Sequence, residues 1–244
     1  FKSFDFYTDL GIKTNFGTFF KNLNSIGKNH SSLKSSPQSE IMTSYIFNTS
    51  LPLIKNSEKI HNMLEPKMSF RFSPHDMKNN KDLSSRITVD NIYGDNRLAL
   101  GNSYEGGESL TIGVDYKKEK VNTILATPHM NEMMEIEDFF DFKLATVFRL
   151  DEEDNIPTNS TLNKKTSNIF GQVRYYPADL LKLDYDFSLK NDLDTMEYNS
   201  LSALFELKKF TTNFNFTESR GVLGDSNVIG NTTTFNFSGD SSLT

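Results

Sequence analysis

Apolar and polar residues alternate along most of this chain, which places successive side chains on opposite faces of a strand. The plainest stretch sets Leu181, Leu183, Tyr185, Phe187 and Leu189 against Lys182, Asp184, Asp186, Ser188 and Lys190. One face is wholly apolar, and the other carries four charges in five positions. Leu110, Ile112, Val114 and Tyr116 alternate with Thr111, Gly113, Asp115 and Lys117, and Leu64, Pro66, Met68, Phe70 and Phe72 with Glu65, Lys67, Ser69, Arg71 and Ser73. The same scheme runs through Tyr45, Phe47, Leu51 and Leu53, through Phe142, Leu144, Phe148 and Leu150, and through Phe210, Phe214 and Phe216, with Phe235 and Phe237 near the end. About twelve such segments are legible, most of them longer than the usual soluble strand of about 5–6 residues and suited to a tilted membrane strand of about 9–11. Between Tyr198 and Leu201 the phase slips, which predicts a β-bulge. Helical periodicity is confined to Asn131–Phe140, an acidic stretch expected to be a loop with one helical turn.

Connections follow from the gaps. Pro177-Ala178-Asp179, Asn191–Asp194 and Lys208-Lys209 read as short joins, and 151–166 and 218–230 as longer loops. By parity 151–166, 191–194 and 218–230 share one end, and 177–179 and 208–209 the other. Outer-membrane barrels keep long loops outside and short turns in the periplasm, so the first group is expected to be extracellular. Two further polar stretches, 21–40 and 74–85, are also expected to be loops. The pattern is still running at Phe1 and at Thr244, so the chain reads as an internal fragment of one barrel domain, 1–244, with no second domain.

Composition sharpens this picture. Apolar residues are 36% of the chain, yet phenylalanine alone fills 21 positions, whereas a soluble sandwich core favours Val, Ile and Leu. No apolar run exceeds three residues, so a membrane helix of about 20 is excluded, while a barrel strand needs only alternate apolar residues. A net charge of −6 without a basic cluster argues against nucleic acid as a partner. The absence of cysteine excludes a disulfide framework, a zinc knuckle and a thiol nucleophile within this stretch. The expected fold is all-β, an antiparallel transmembrane β-barrel of outer-membrane type, present in part. The alternatives are a soluble all-β binding module, or another barrel such as a porin or receptor-type transporter.

Little in the sequence points to catalysis or a cofactor. His30, His61, His75 and His129 lack ligand spacing, and Asp151-Glu152-Glu153-Asp154-Asn155 lacks the register of a calcium loop, so a solvated acidic loop is expected. Gly11 and Gly106-Gly107 are followed by neither a lysine nor a helix, and read as turn or bulge positions. No nucleophile elbow is present. Neither an enzyme nor a metal or cofactor site is expected.

Three stretches, taken in order, resemble the LptD (OstA/Imp) family of lipopolysaccharide-assembly proteins, in the later part of its barrel. They are Leu64–Pro74; Asp90 through Asn96-Arg97-Leu98 to Tyr104-Glu105-Gly106-Gly107 with the strand after it; and Lys165–Gln172 through Tyr176-Pro177 to Leu183–Leu189. The second is similar to a D-R-x-E-G-G motif that opens a strand, but Asn102-Ser103 stand at its Asp-Arg pair, so that basic residue is missing. The resemblance implies an outer-membrane translocon that places lipopolysaccharide in the outer leaflet. It further implies outer-membrane lipids around the barrel, an LptE-like plug lipoprotein and an LptA-like periplasmic bridge. It implies a piece without the periplasmic jelly roll or the seam strands, a sheet that closes only with the rest of its chain.

If the apolar face meets lipid, the polar face lines the lumen. The candidates there are Lys67, Arg71, Asp115, Lys117, Lys143, Arg149, Lys182, Asp184, Asp186 and Lys190. Each either faces the path of a sugar-phosphate head group or simply pairs across neighbouring strands.

Overall fold

The computed structural model describes residues 1–29, 35–124, 133–220, 224–238 and 241–243. The strands are β1 (Phe6–Tyr7), β2 (Lys13–Ser25), β3 (Gln38–Ser50), β4 (Leu53–Asn56), β5 (Ile60–Ser73), β6 (Gly107–Ile124) and β7 (Met133–Arg149). After a 3-10 turn at Thr158–Ser160 come β8 (Ile169–Ala178), β9 (Leu181–Leu189), β10 (Met196–Leu207), β11 (Phe210–Ser219), β12 (Ser226–Ser238) and β13 (Ser241–Leu243). They form one 13-stranded sheet in which chain neighbours pair in order from β1 to β13, with β4 folded onto β5 off that path. Every register seen is antiparallel, for example Phe47 with Phe70 and Leu201 with Tyr185. Strands such as β3, β5 and β10, with 13, 14 and 12 residues, are long enough for tilted membrane crossings. The fold is thus the all-β antiparallel sheet that the alternation predicts, and among the described residues the path from β1 to β13 is not closed.

The chain divides into two compact units. One comprises Phe1–Ser50, Lys67–Ile112 and Thr146–Ser167; the other comprises Leu51–Pro66, Gly113–Ala145 and Asn168–Thr244. In the first unit the usual placement of polarity is reversed. On β5, Met68 and Phe70 are 38% and 41% exposed, whereas Ser69, Arg71 and Ser73 are at most 4% exposed. Phe16, Phe47 and Phe70 lie opposite one another across β2, β3 and β5, forming an exposed aromatic row. In the second unit an apolar row runs Phe142, Val173, Tyr185, Leu201, Phe216 and Ile229 across β7 to β12. The neighbouring row is polar: Asp141, Arg174, Asp184, Ser202 and Asn215.

The apolar core of the first unit lies in its connections. Segment 74–106 buries Met77, Ile87, Val89, Ile92, Leu98 and Leu100, and segment 150–168 buries Ile156 and Leu162, with Val147 of β7 and Met42 and Ile46 of β3. Burying each large aliphatic side chain contributes about 1.5–3 kcal/mol, enough to offset the ordering of long connections. Sequence reading takes 74–85 and 151–166 as polar loops, because their apolar residues follow neither strand nor helix period. The acidic run is surface as expected, since Asp151, Glu152 and Asp154 are exposed.

Several boundaries differ from expectation. Met133–Phe140 is strand rather than loop, for Lys117 on β6 pairs with Asp138 at 2.8 Å, and Lys118 and Lys120 lie 5.2 and 4.3 Å from the Phe139 ring centre. Residues 131–132 lie outside the described residues. The register shift is between Met196 and Tyr198 on the β9 side, and Tyr198 sits on the face opposite Leu201, so no bulge separates those two. Polar strand ends extend into expected loops: Ser25 pairs with Gln38, and Glu218 with Asn227. The turn after β8 is at 179–180, since Ala178 already pairs with Leu181.

Candidate functional site

On the buried face of the first unit, Arg71 stands on β5 between Ser69 and Ser73, and Arg149 ends β7. Both meet Glu105, which segment 74–106 delivers just before β6 begins. A pair of glycines makes the approach possible. Gly107 adopts φ +78°, and a Cβ there would stand 2.9 Å from Arg149 Nη2. At Gly106 a Cβ would lie 3.1 Å from the His75 carbonyl oxygen and 3.2 Å from Met77 Cβ. Arg97 is set by the turn before it, where Thr88 N donates to Asn91 Oδ1 at 2.9 Å, and by the turn that contains it, where Leu100 N donates to Asn96 Oδ1 at 3.1 Å.

Three guanidiniums converge on one carboxylate. Arg97 donates to both Glu105 oxygens at 2.7 and 2.6 Å, and to Thr111 Oγ1 at 2.8 Å and Ser109 Oγ at 2.9 Å on β6. Arg149 Nη1 donates to Glu105 Oε1 at 2.7 Å, and its Nη2 to the Gly106 carbonyl. Arg71 donates to the carbonyls of Asp95 and Gly94 at 2.7 and 2.6 Å, with its Nε 3.9 Å from Glu105 Oε2. Burial alone would push the Glu105 carboxyl up, but Arg97, Arg71 and Arg149 together outweigh it and hold it at about 2. The carboxylate is therefore ionised at any physiological pH.

The same segment is tied to other strands. Lys21 Nζ of β2 donates to the carbonyls of Leu100 and Ser103 at 3.1 and 3.2 Å and lies 5.0 Å from the Tyr104 ring centre. His75 lies between the carbonyls of Thr43 and Tyr104, at 3.2 and 3.4 Å, and Lys78 pairs with Glu40 at 2.7 Å. Asn80 N donates to the Asn155 carbonyl at 2.9 Å, and Ser85 N to Asn159 Oδ1 at 3.1 Å, so 74–106 and 150–168 are bonded to each other. Among the described residues no His, Cys, Asp and Glu side chains gather as a metal site. His30 and His129 lie outside those residues.

In the first unit the strands leave an aromatic face open and bury a charged one, an arrangement built for a nonpolar exterior. Comparison with known families agrees: residues 6–240 match the family described as LptD, LPS transport system D. The chain belongs to the LptD family. No curated protein matches it. LptD proteins are outer-membrane β-barrels that act in lipopolysaccharide transport and assembly, and they are not an enzyme family. The antiparallel all-β sheet described above is the build expected of that barrel family.

Within this LptD barrel sheet the expected polar-face residues fall into two groups. Arg71 and Arg149 come together through Glu105. Lys67 is half-buried opposite Ser50, and Asp115 is half-buried on β6. Lys117 pairs with Asp138 and with Glu119 at 2.6 Å, and Lys143 lies 4.0 Å from Asp141. Asp184 accepts from Tyr176 Oη at 2.8 Å and lies 3.7 Å from Arg174 Nε, while Asp186 accepts from Gln172 at 2.8 Å. Lys182 pairs with Glu206 at 2.9 Å. Lys190 lies in the turn after β9 and pairs with Asp192 at 2.6 Å. Sequence reading missed Glu105 and Arg97, although both stand in the LptD-like stretch. Arg97 reaches Glu105 from a turn eight residues earlier, a pairing that spacing alone does not reveal.

Proposed function

We propose that this chain is part of the barrel wall of the translocon that inserts lipopolysaccharide into the outer leaflet of the cell outer membrane. The observation that carries the reading is the reversed polarity of the first unit's strands, joined to membership of the family. The aromatic and aliphatic face meets outer-membrane lipid. Lys67, Arg71, Asp115, Lys117, Lys143, Arg149, Lys182, Asp184 and Asp186 face the lumen, since a charge on the lipid side at mid-membrane costs about 2–4 kcal/mol. Antiparallel pairing alternates the connections, so 74–106 and 150–168 share an end within the first unit, which we assign to the cell exterior, as we do 190–195 in the second. An LptE-like plug lipoprotein and an LptA-like periplasmic bridge complete the path.

Single cysteines test the orientation, because this stretch has none of its own. In the full-length protein in cells, Asp184→Cys is expected to react with a small hydrophilic maleimide, and Phe70→Cys to stay protected. Labelling of Phe70→Cys with protection of Asp184→Cys would reverse the faces. Depleting the protein is expected to lower newly made lipopolysaccharide at the cell surface, and unchanged delivery would sink the function.

A further inference from the structure

The cluster around Glu105 gathers more positive charge than that carboxylate balances. Arg97, Arg149 and Arg71 approach its oxygens at 2.6, 2.7 and 3.9 Å. Their attachment differs. Arg97 and Glu105 both belong to segment 74–106 and share two hydrogen bonds, so they form a neutral pair that moves together once Arg97 gives up its bonds to Ser109 and Thr111 of β6. Arg71 and Arg149 belong to strands and stay with the wall. Among the described residues Arg71 donates hydrogen bonds to the Gly94 and Asp95 carbonyls of that same segment, while its buried Nε, 3.9 Å from Glu105 Oε2, makes an ion pair but no hydrogen bond. Arg149 likewise gives two of its bonds to Glu105 and Gly106. Lifting the segment about Gly106-Gly107 would expose two guanidiniums, both within reach of one small anion, with Ser69 and Ser73 beside Arg71.

We propose that Arg71 and Arg149 form a phosphate-binding site on the barrel wall, which Glu105 occupies while segment 74–106 is closed. One carboxylate brings a single charge and two oxygens. A phosphate group brings up to two charges and three oxygens, a better match for two forked guanidiniums. The phosphate of an arriving head group therefore competes with Glu105, and its binding favours the open segment. The head-group source rests on the lipopolysaccharide reading above; the phosphate site does not.

The test uses the full-length protein in detergent. With the wild type, pyrophosphate is expected to speed proteolytic cleavage within 74–106 about threefold or more over sodium chloride of equal ionic strength, because opening exposes the segment. Unchanged cleavage would overturn the proposal. Glu105→Gln is expected to bind pyrophosphate about tenfold tighter than wild type, and adding Arg71→Gln and Arg149→Gln to abolish that gain. Equal binding by the single and triple variants would overturn it also, and the wild-type arm decides should Glu105→Gln fail to fold. Tighter binding of intact than of dephosphorylated lipopolysaccharide by Glu105→Gln supports the head group as source. Pyrophosphate binding without that preference overturns the head-group source and leaves a site for free phosphate.

Discussion

Arginine meets carboxylate on the polar face of both units, with opposite consequences. In the first, the side chains of Arg97 and Glu105 are 1% and 3% exposed and 2.6 Å apart; in the second, those of Arg174 and Asp184 are 35% and 39% exposed and 3.7 Å apart. The strands have the same alternating chemistry, so they do not cause the contrast. The connections do. After β5 and β7 the chain folds back as apolar segments that cover the charges, while β9 is followed only by the short turn 190–195. A covered ion pair has lost its water and must be complete, since removing one partner strands the other in a medium of low dielectric. An uncovered pair keeps water as an alternative partner and remains exchangeable. Coverage separates a charge that is available only when its segment opens from one that is available at once.

The largest test removes the centre of the covered cluster. Glu105→Gln is expected to lower the opening free energy of amides in 74–106 by about 3–5 kcal/mol, read by hydrogen exchange, and to leave β9 and β10 unchanged. An equal fall in both places would dissolve the contrast. Acid should reproduce the effect in part. The Glu105 carboxyl ordinarily titrates near 4.5 and is held at about 2 in the closed segment. A lowered folded value gives stability that is complete above about 4.5 and is lost as pH falls toward 2, in total about 3 kcal/mol. Exchange in 74–106 should accelerate between about pH 5 and about pH 3, and Glu105→Gln should remove that dependence. Equal opening free energies at the two pH values would show that the carboxylate carries no such load.

How much of this was legible in advance depends on where the information sits. Period two in Leu181–Leu189 or Leu64–Ser73 is local, and it gave strands, faces and antiparallel order directly. The family could be read from the same stretches, because each motif is a strand with its turn. The core of segments 74–106 and 150–168 was hidden, since Ile92, Ile156 and Leu162 follow no period and meet only in three dimensions. Arg71 and Arg149 were legible as polar-face residues, but not as partners: their link is Glu105, a residue between strands. Acidic Met133–Phe140 failed for a related reason, since its strand depends on lysines supplied by β6.

Cohesion in the second unit should rest on packing more than on charge. A Cβ on Gly171 would collide with the Phe187 ring, which lies directly over the glycine of the facing strand. Gly171→Ala is expected to cost about 1–3 kcal/mol in exchange protection of β8 and β9, because the ring has to leave that site. Adding Phe187→Leu should recover part of the loss. If Gly171→Ala changes nothing, packing at this pair is not what holds the strands.

The smallest expected effect is the most informative about the lumen. A double-mutant cycle on Arg174→Gln and Asp184→Asn should give a coupling of only about 0.2–1 kcal/mol, measured on exchange of β8 and β9 amides. Both groups are more than a third exposed, and Asp184 keeps the Tyr176 hydroxyl as a donor at 2.8 Å after Arg174 is removed. That coupling should shrink further in salt, where screening acts over about 10 Å at 0.1 M, while the Glu105 cluster stays indifferent. A salt-insensitive coupling above about 2 kcal/mol would mean that something covers the second unit's polar face as thoroughly as 74–106 covers the first. In that case the exchangeable charge needed along a path for sugar and phosphate would have to lie elsewhere on the wall.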